Sequence, residues 1–220
     1  MRMSKVSSAI VAAGLFMTAG AVAQPIASAT YFDLSGNWDG AMFHAYAASA
    51  PGLMSSGSVA RLVAPIGTAD FEPGFVAAAN PADFHLMLNY IPSGPGFGLG
   101  FGTFMITDAD GDSISGNVNG LWIDDSANTP GQVFFNGALS NVVFTGGTFN
   151  GTLAGAFSTL FGGTPPYDGA ITQLYLSPPG NFFTSVFSDV NTGVTMQILP
   201  APGAAALMGL GGLLVARRRR

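Results

Sequence analysis

Between residues 31 and 199, short apolar runs rich in Thr, Val and Phe alternate with clusters of Gly, Pro, Asn and Asp. Runs of this length bounded by turn residues predict strands. The pattern places them over 31–46, 58–64, 70–78, 84–91, 97–107, 113–124, 132–145, 148–161, 170–176, 182–187 and 194–199. No helical period intervenes, so the expected fold is all-β: a single antiparallel barrel or sandwich spanning residues 24–199.

Two registers follow from the pattern. A three-residue loop, Ala109-Asp110-Gly111, sets Asp108 opposite Asp112 and Ile106 opposite Ile114. Phe104, Ile106, Ile114 and Val118 then share one face, and Thr103, Thr107, Ser113, Ser115 and Asn117 the other. A slip of one residue would mix the two sets, so this register is the expected one. The second hairpin turns at Thr145-Gly146-Gly147-Thr148, where two glycines suit positive backbone angles, and it pairs Phe144 with Phe149. Short echoes, such as Phe135-Asn136-Gly137 and Phe149-Asn150-Gly151, are too irregular for a solenoid or propeller repeat.

The two ends break the strand pattern. Residues 1–23 begin with Arg2 and Lys5, continue through the uncharged apolar stretch 9–19 and finish on Ala21-Val22-Ala23. These are the three parts of a signal peptide, with small residues at Ala21 and Ala23 for signal peptidase and a mature chain beginning at Gln24. The alternative is an ordinary buried first helix. At the far end Pro200, Ala201, Pro202 and Gly203 lead into an uncharged run over 204–216, closed by Arg217, Arg218, Arg219 and Arg220. The run is near the minimum for a membrane-spanning helix, and the arginines would hold its end on the cytoplasmic side. A core helix with a basic tail is the plainer reading.

Charge sharpens this division. Of seven basic residues only Arg61 lies in the body, which carries all twelve acidic residues and a formal charge of −11. One cation cannot neutralise a run of phosphates, so a nucleic-acid partner is excluded. The chain has no cysteine, which removes disulfides, thiolate metal sites and a cysteine nucleophile.

In the order of its parts, the segment 200–220 resembles the tail of the PEP-CTERM family of bacterial exported proteins. Those tails carry a Pro-Glu-Pro-type motif, an apolar helix and an arginine cluster, and are processed by an exosortase. Here Ala201 stands where the family has Glu. The resemblance implies a cell-surface or extracellular-matrix destination, an exosortase-like processing enzyme, and membrane attachment through the C-terminal helix before processing. It implies no activity for the body.

Candidate chemistry in the body is sparse. His44 and His85 are the histidines available as a neutral-pH base, and no Gly-x-Ser-x-Gly elbow accompanies them. Catalytic residues are therefore expected to be none, although twelve carboxylates would allow a two-carboxylate glycosidase. The run Asp108-Ala109-Asp110-Gly111-Asp112 supplies three carboxylates in five residues. It opens like an EF-hand loop, but Gly111 is at the fourth position and Asn119 replaces the closing Glu. A solvated turn is the plainer expectation, with no cofactor. If a metal binds, the residues point to weak calcium at Asp108, Asp110 and Asp112.

Three functional classes remain from sequence. The first is a noncatalytic surface or matrix protein contacting envelope polymers. The second is a barrel that binds a small apolar ligand, for which eighteen phenylalanines are raw material. The third is a secreted hydrolase.

Overall fold

Along runs such as 84–89 and 97–107, buried side chains alternate with more exposed ones, the period-two signature of strands with one face on a core. The structure, a computed structural model, describes residues 24–76, 83–124, 131–163, 165–180 and 183–200. In chain order its strands are β1 (Ala27–Trp38), β2 (Met42–Tyr46), β3 (Ser49–Ala50), β4 (Leu53–Met54), β5 (Ser56–Arg61), β6 (Gly67–Phe71), β7 (Phe84–Asn89), β8 (Ile91–Gly94), β9 (Phe97–Thr107) and β10 (Ser113–Asp124). They continue with β11 (Val133–Thr145), β12 (Thr148–Asn150), β13 (Ala156–Ser158), β14 (Tyr167–Leu176) and β15 (Phe187–Leu199). No helix occurs among the described residues.

The main sheet runs β1, β2, β7, β9, β10, β11, β14, β15 and returns to β1 through the β1–β15 pairing, closing an antiparallel eight-stranded barrel. Closure leaves no free edge within that ring and decides between barrel and sandwich. The N-terminal half of β1 pairs with β5 and its C-terminal half with β2, so the β5–β6 hairpin branches from the wall at one end. The small β12–β13 hairpin packs on β6, with Asp70 bridged to Ala154. Both Ala27 and Ile198 lie at this branched end, where they pair with each other.

Bending strands into a closed wall requires bulges. Three of the irregularities coincide with Asp33, Asn141 and Asp189, whose φ angles are 55°, 54° and 55°. Asp and Asn are the non-glycine residues that best tolerate this left-handed region. Two of the bulges carry local polar support: Asn191 Nδ2 donates to Asp33 Oδ1 at 2.5 Å, and Ser35 Oγ donates to Asp189 Oδ1 at 2.8 Å.

An eight-stranded barrel is just wide enough for side chains to fill it. Trp122, Phe43, Phe84, Phe104, Phe135, Leu34, Leu86, Leu88, Ile106 and Ile114 fill this one. Room for the largest rings comes from Gly100, Gly120 and Gly137, aligned across β9, β10 and β11. A Cβ on any of them would come within 2.7 Å of the Phe135 ring. At the branched end Tyr31, Phe71, Phe75, Phe84, Phe149 and Phe157 form a lid of rings. At the opposite end Phe183 inserts between Trp38, Tyr90 and Trp122, with centroid separations of 4.8, 5.0 and 4.7 Å.

Strands β9 and β10 have the predicted bounds, and Ile106 pairs with Ile114 as expected. Other expectations are corrected. The run 31–46 is two strands, because Asp39 Oδ1 accepts the amides of Ala41 and Met42, both at 2.8 Å, and folds a turn. Strand 70–78 becomes β6, ended by Glu72-Pro73-Gly74 with Gly74 at φ 74°; residues 77 and 78 lie outside the described residues. The stretch 148–161 splits into β12 and β13, and 183–186 is loop, while β15 runs unbroken from Phe187 to Leu199. Phe149 pairs with Phe157 rather than Phe144, because β12 leaves the wall after the Gly146-Gly147 turn.

Candidate functional site

The residues pointing into the barrel form one buried hydrophobic cluster. Clefts open on the outer face of the wall and at its branched end. One of about 400 Å³ is lined by His85, Met87, Thr103, Met105, Ser115 and Asn117, among others, on the outer face of β7, β9 and β10. A second, of about 300 Å³, lies at the branched end beside Phe144, Phe161 and Tyr167. The third, of about 470 Å³, follows the bulged face near Asp33, Tyr175 and Asn191.

The acidic turn is the best-defined polar constellation. As expected, Asp108 and Asp112 close the β9–β10 loop, with Asp108 N–H donating to Asp112 O at 2.9 Å and Gly111 at φ 90°. Their carboxylates do not face one another unsupported. Asp108 Oδ1 accepts the amides of Asp110 (3.0 Å) and Asp112 (2.8 Å), and Oδ2 accepts the amide of Asn150 (2.8 Å). Asp112 Oδ2 accepts from Gly147 and Thr148 at 3.0 and 3.1 Å, and Asn150 Nδ2 donates to Asp110 Oδ2 at 2.5 Å. The carboxylates thus meet amide dipoles of the Gly146-Gly147 turn and of β12 and fasten them to the β9–β10 turn. A Cβ on Gly146 would fall 1.9 Å from Asp112 Cγ, which explains the glycine. Burial raises the Asp108 pKa, and the three amides oppose the shift. Among the described residues, no group of three or more His, Asp or Glu is arranged to hold a metal ion.

Behind this turn lies a buried acid. Asp83, 3% exposed, is pushed up to about 6 by desolvation, with the Asp108 charge adding to the shift. The fully buried Tyr31 hydroxyl has no hydrogen-bond partner, and burial followed by the Asp83 charge raises its pKa. Arg61 is likewise buried, and it donates to backbone carbonyls rather than to an acid. Nε reaches Val63 O at 3.0 Å, Nη2 reaches Ala64 O at 3.0 Å, and Nη1 reaches Leu160 O at 2.7 Å and Ser158 O. Its guanidinium also stands 4.6 Å from the centroid of Phe161. The cation joins β5 to the segment after β13.

The two histidines, far apart in sequence, become neighbours because β2 pairs with β7. Their rings are 5.8 Å apart at 17°, and Tyr46 packs edge-on against His85 at 6.4 Å. Burial, and then the neighbouring His44, lowers the His85 pKa. His44 stands opposite Met87, and His85 opposite both Tyr46 and Met105. Nothing local in the sequence links the two histidines; the β2–β7 pairing brings them together.

Of the sorting residues, Gln24 and Pro200 bracket the domain at its branched end, whereas Ala21, Ala23, Ala201, Pro202, Gly203 and Arg217 to Arg220 lie outside the described residues. Comparison of the chain with protein-family models, with curated proteins and with solved structures finds no match.

Proposed function

We propose that the chain is an exported, noncatalytic cell-surface or matrix protein, delivered by the signal segment 1–23 and sorted through the PEP-CTERM-like tail 200–220. The observation that carries the noncatalytic reading is the packed interior: with the axis filled by rings and aliphatic chains, contact with a partner falls to the outer wall. That wall carries an exposed row, Phe97, Leu99 and Phe101, with Ile91 beside Leu99, suited to contact with envelope or matrix polymers. Signal peptidase and an exosortase-like enzyme are the processing partners in this reading, and the membrane holds the tail before processing.

A barrel is also the architecture of the alternative, a binder of small apolar ligands, but its packed interior favours the first reading. A secreted hydrolase draws least support, since the histidines stack on each other opposite two methionines and the sequence supplies no Gly-x-Ser-x-Gly elbow. Deleting residues 204–220 tests the sorting role: the body should be released to the medium or stall in processing, and an unchanged distribution would refute it. Calcium at Asp108, Asp110 and Asp112 is tested by calorimetry at millimolar calcium. Binding heat lost in Asp110→Asn would support the ion; no heat would leave the turn as a hydrogen-bonded fastener.

A further inference from the structure

We propose that the outer face of β2, β7 and β9 is a site for one soft monovalent metal ion, copper(I), held by His85, Met87 and Met105 with His44 at its edge. The argument begins with register. On adjacent strands, His85 is directly opposite Met105 and His44 directly opposite Met87. Directly opposed residues have Cβ atoms about 4.5–5.5 Å apart. His85 and Met87 are two residues apart on one strand and therefore share its outward face. Two imidazoles and two thioethers thus occupy a single patch spanning three strands.

A second observation is the cleft of about 400 Å³, which is lined by three of the four side chains: His85, Met87 and Met105. The donors border open space rather than packing it shut. His44 stands at the edge of this group, its ring stacked 5.8 Å from that of His85.

Donor chemistry selects the ion. Thioether sulfur is soft and favours copper(I), while imidazole accepts copper, zinc and nickel. All four donors are uncharged when the imidazoles are neutral, a set suited to a monovalent cation and lacking the carboxylates that calcium or magnesium require. Thr103, Ser115 and Asn117 complete a polar rim.

The probe is copper(I) itself, offered to the purified full chain under a reductant and competed with a chromophoric copper(I) chelator. One ion per chain should be retained. His85→Gln and Met105→Leu should each weaken retention at least about tenfold, and Met87→Leu should act in the same direction. Leucine nearly matches methionine in volume, and an unchanged far-UV spectrum would establish that the variants still fold. X-ray absorption of the copper-loaded chain should show both nitrogen and sulfur neighbours. The proposal is overturned if the full chain retains no copper(I), if the double variant His85→Gln/Met105→Leu retains it as tightly, or if the absorption spectrum shows no sulfur.

Discussion

Replacing Arg61 with Met keeps most of the side-chain stem but deletes the charged fork, and it should cost the fold about 2–4 kcal/mol. The guanidinium makes four hydrogen bonds to carbonyls of Val63, Ala64, Ser158 and Leu160. Bonds from a charged donor contribute about 1.5–3 kcal/mol each when no water replaces them. Ala64 and Leu160 are exposed, so water can take over their carbonyls, whereas Val63 and Ser158 are half-buried. Counting the latter two gives about 3–6 kcal/mol, and the ring contact at 4.6 Å adds about 0.5–2 kcal/mol. Against this, Met no longer requires desolvation of a buried cation, a relief of several kcal/mol that brings the net to the stated range. Urea unfolding of the two proteins is the assay. At a slope of about 2 kcal/mol per molar, the midpoint should fall by about 1–2 M. Arg61→Lys should give an intermediate loss, because a point cation cannot serve four carbonyls arranged around a fork. A midpoint shift below about 0.25 M for Arg61→Met would refute the view that this cation fastens β5 to the segment after β13.

Asp83 makes stability depend on pH. Its folded pKa of about 6 lies above the ordinary 3.8, so its favourable contribution is present below pH 3.8 and is lost as pH rises through about 6. Asp83→Asn should therefore stabilise the protein at pH 7 by up to about 3 kcal/mol and remove that slope, as read by unfolding midpoints at pH 4 and pH 7. Asp108→Asn leaves one oxygen to serve amide donors on both sides, and a loss of about 1–3 kcal/mol is expected in the same assay; no loss would mean that the acidic turn does not fasten the loop. Gly102→Ala places a Cβ 1.7 Å from the Met87 carbonyl oxygen. It should force β7 from β9 and lower the thermal midpoint sharply; a normal midpoint would contradict the close approach of these strands.

The hairpin β9–β10 was legible because a long alternation and an Asp-Gly loop agree on one register, and both inward faces are apolar. The Phe144–Phe149 pairing was misread for a reason outside the local pattern. Asp112, distant in sequence, accepts the amides of Gly147 and Thr148 and directs the chain away from β11. The first half of β15 looked like a turn because it contains Asp189, Asn191 and Gly193. In the structure Asp189 is a bulge that bends the wall, and Thr192 beside it is buried. Closure itself depends on β1 meeting β15 from opposite ends of the domain, a contact with no short-range signature. The His44–His85 group is hidden in the same way, since it exists only after β2 pairs with β7.

The central claim is that this filled barrel works outside the cytoplasm. Its most direct test is intact-mass analysis of the protein recovered from the surface of its native host. The account predicts a surface-exposed chain that begins at Gln24. Surface protein that retains residues 1–23, or recovery of the body from the cytoplasm alone, would contradict it.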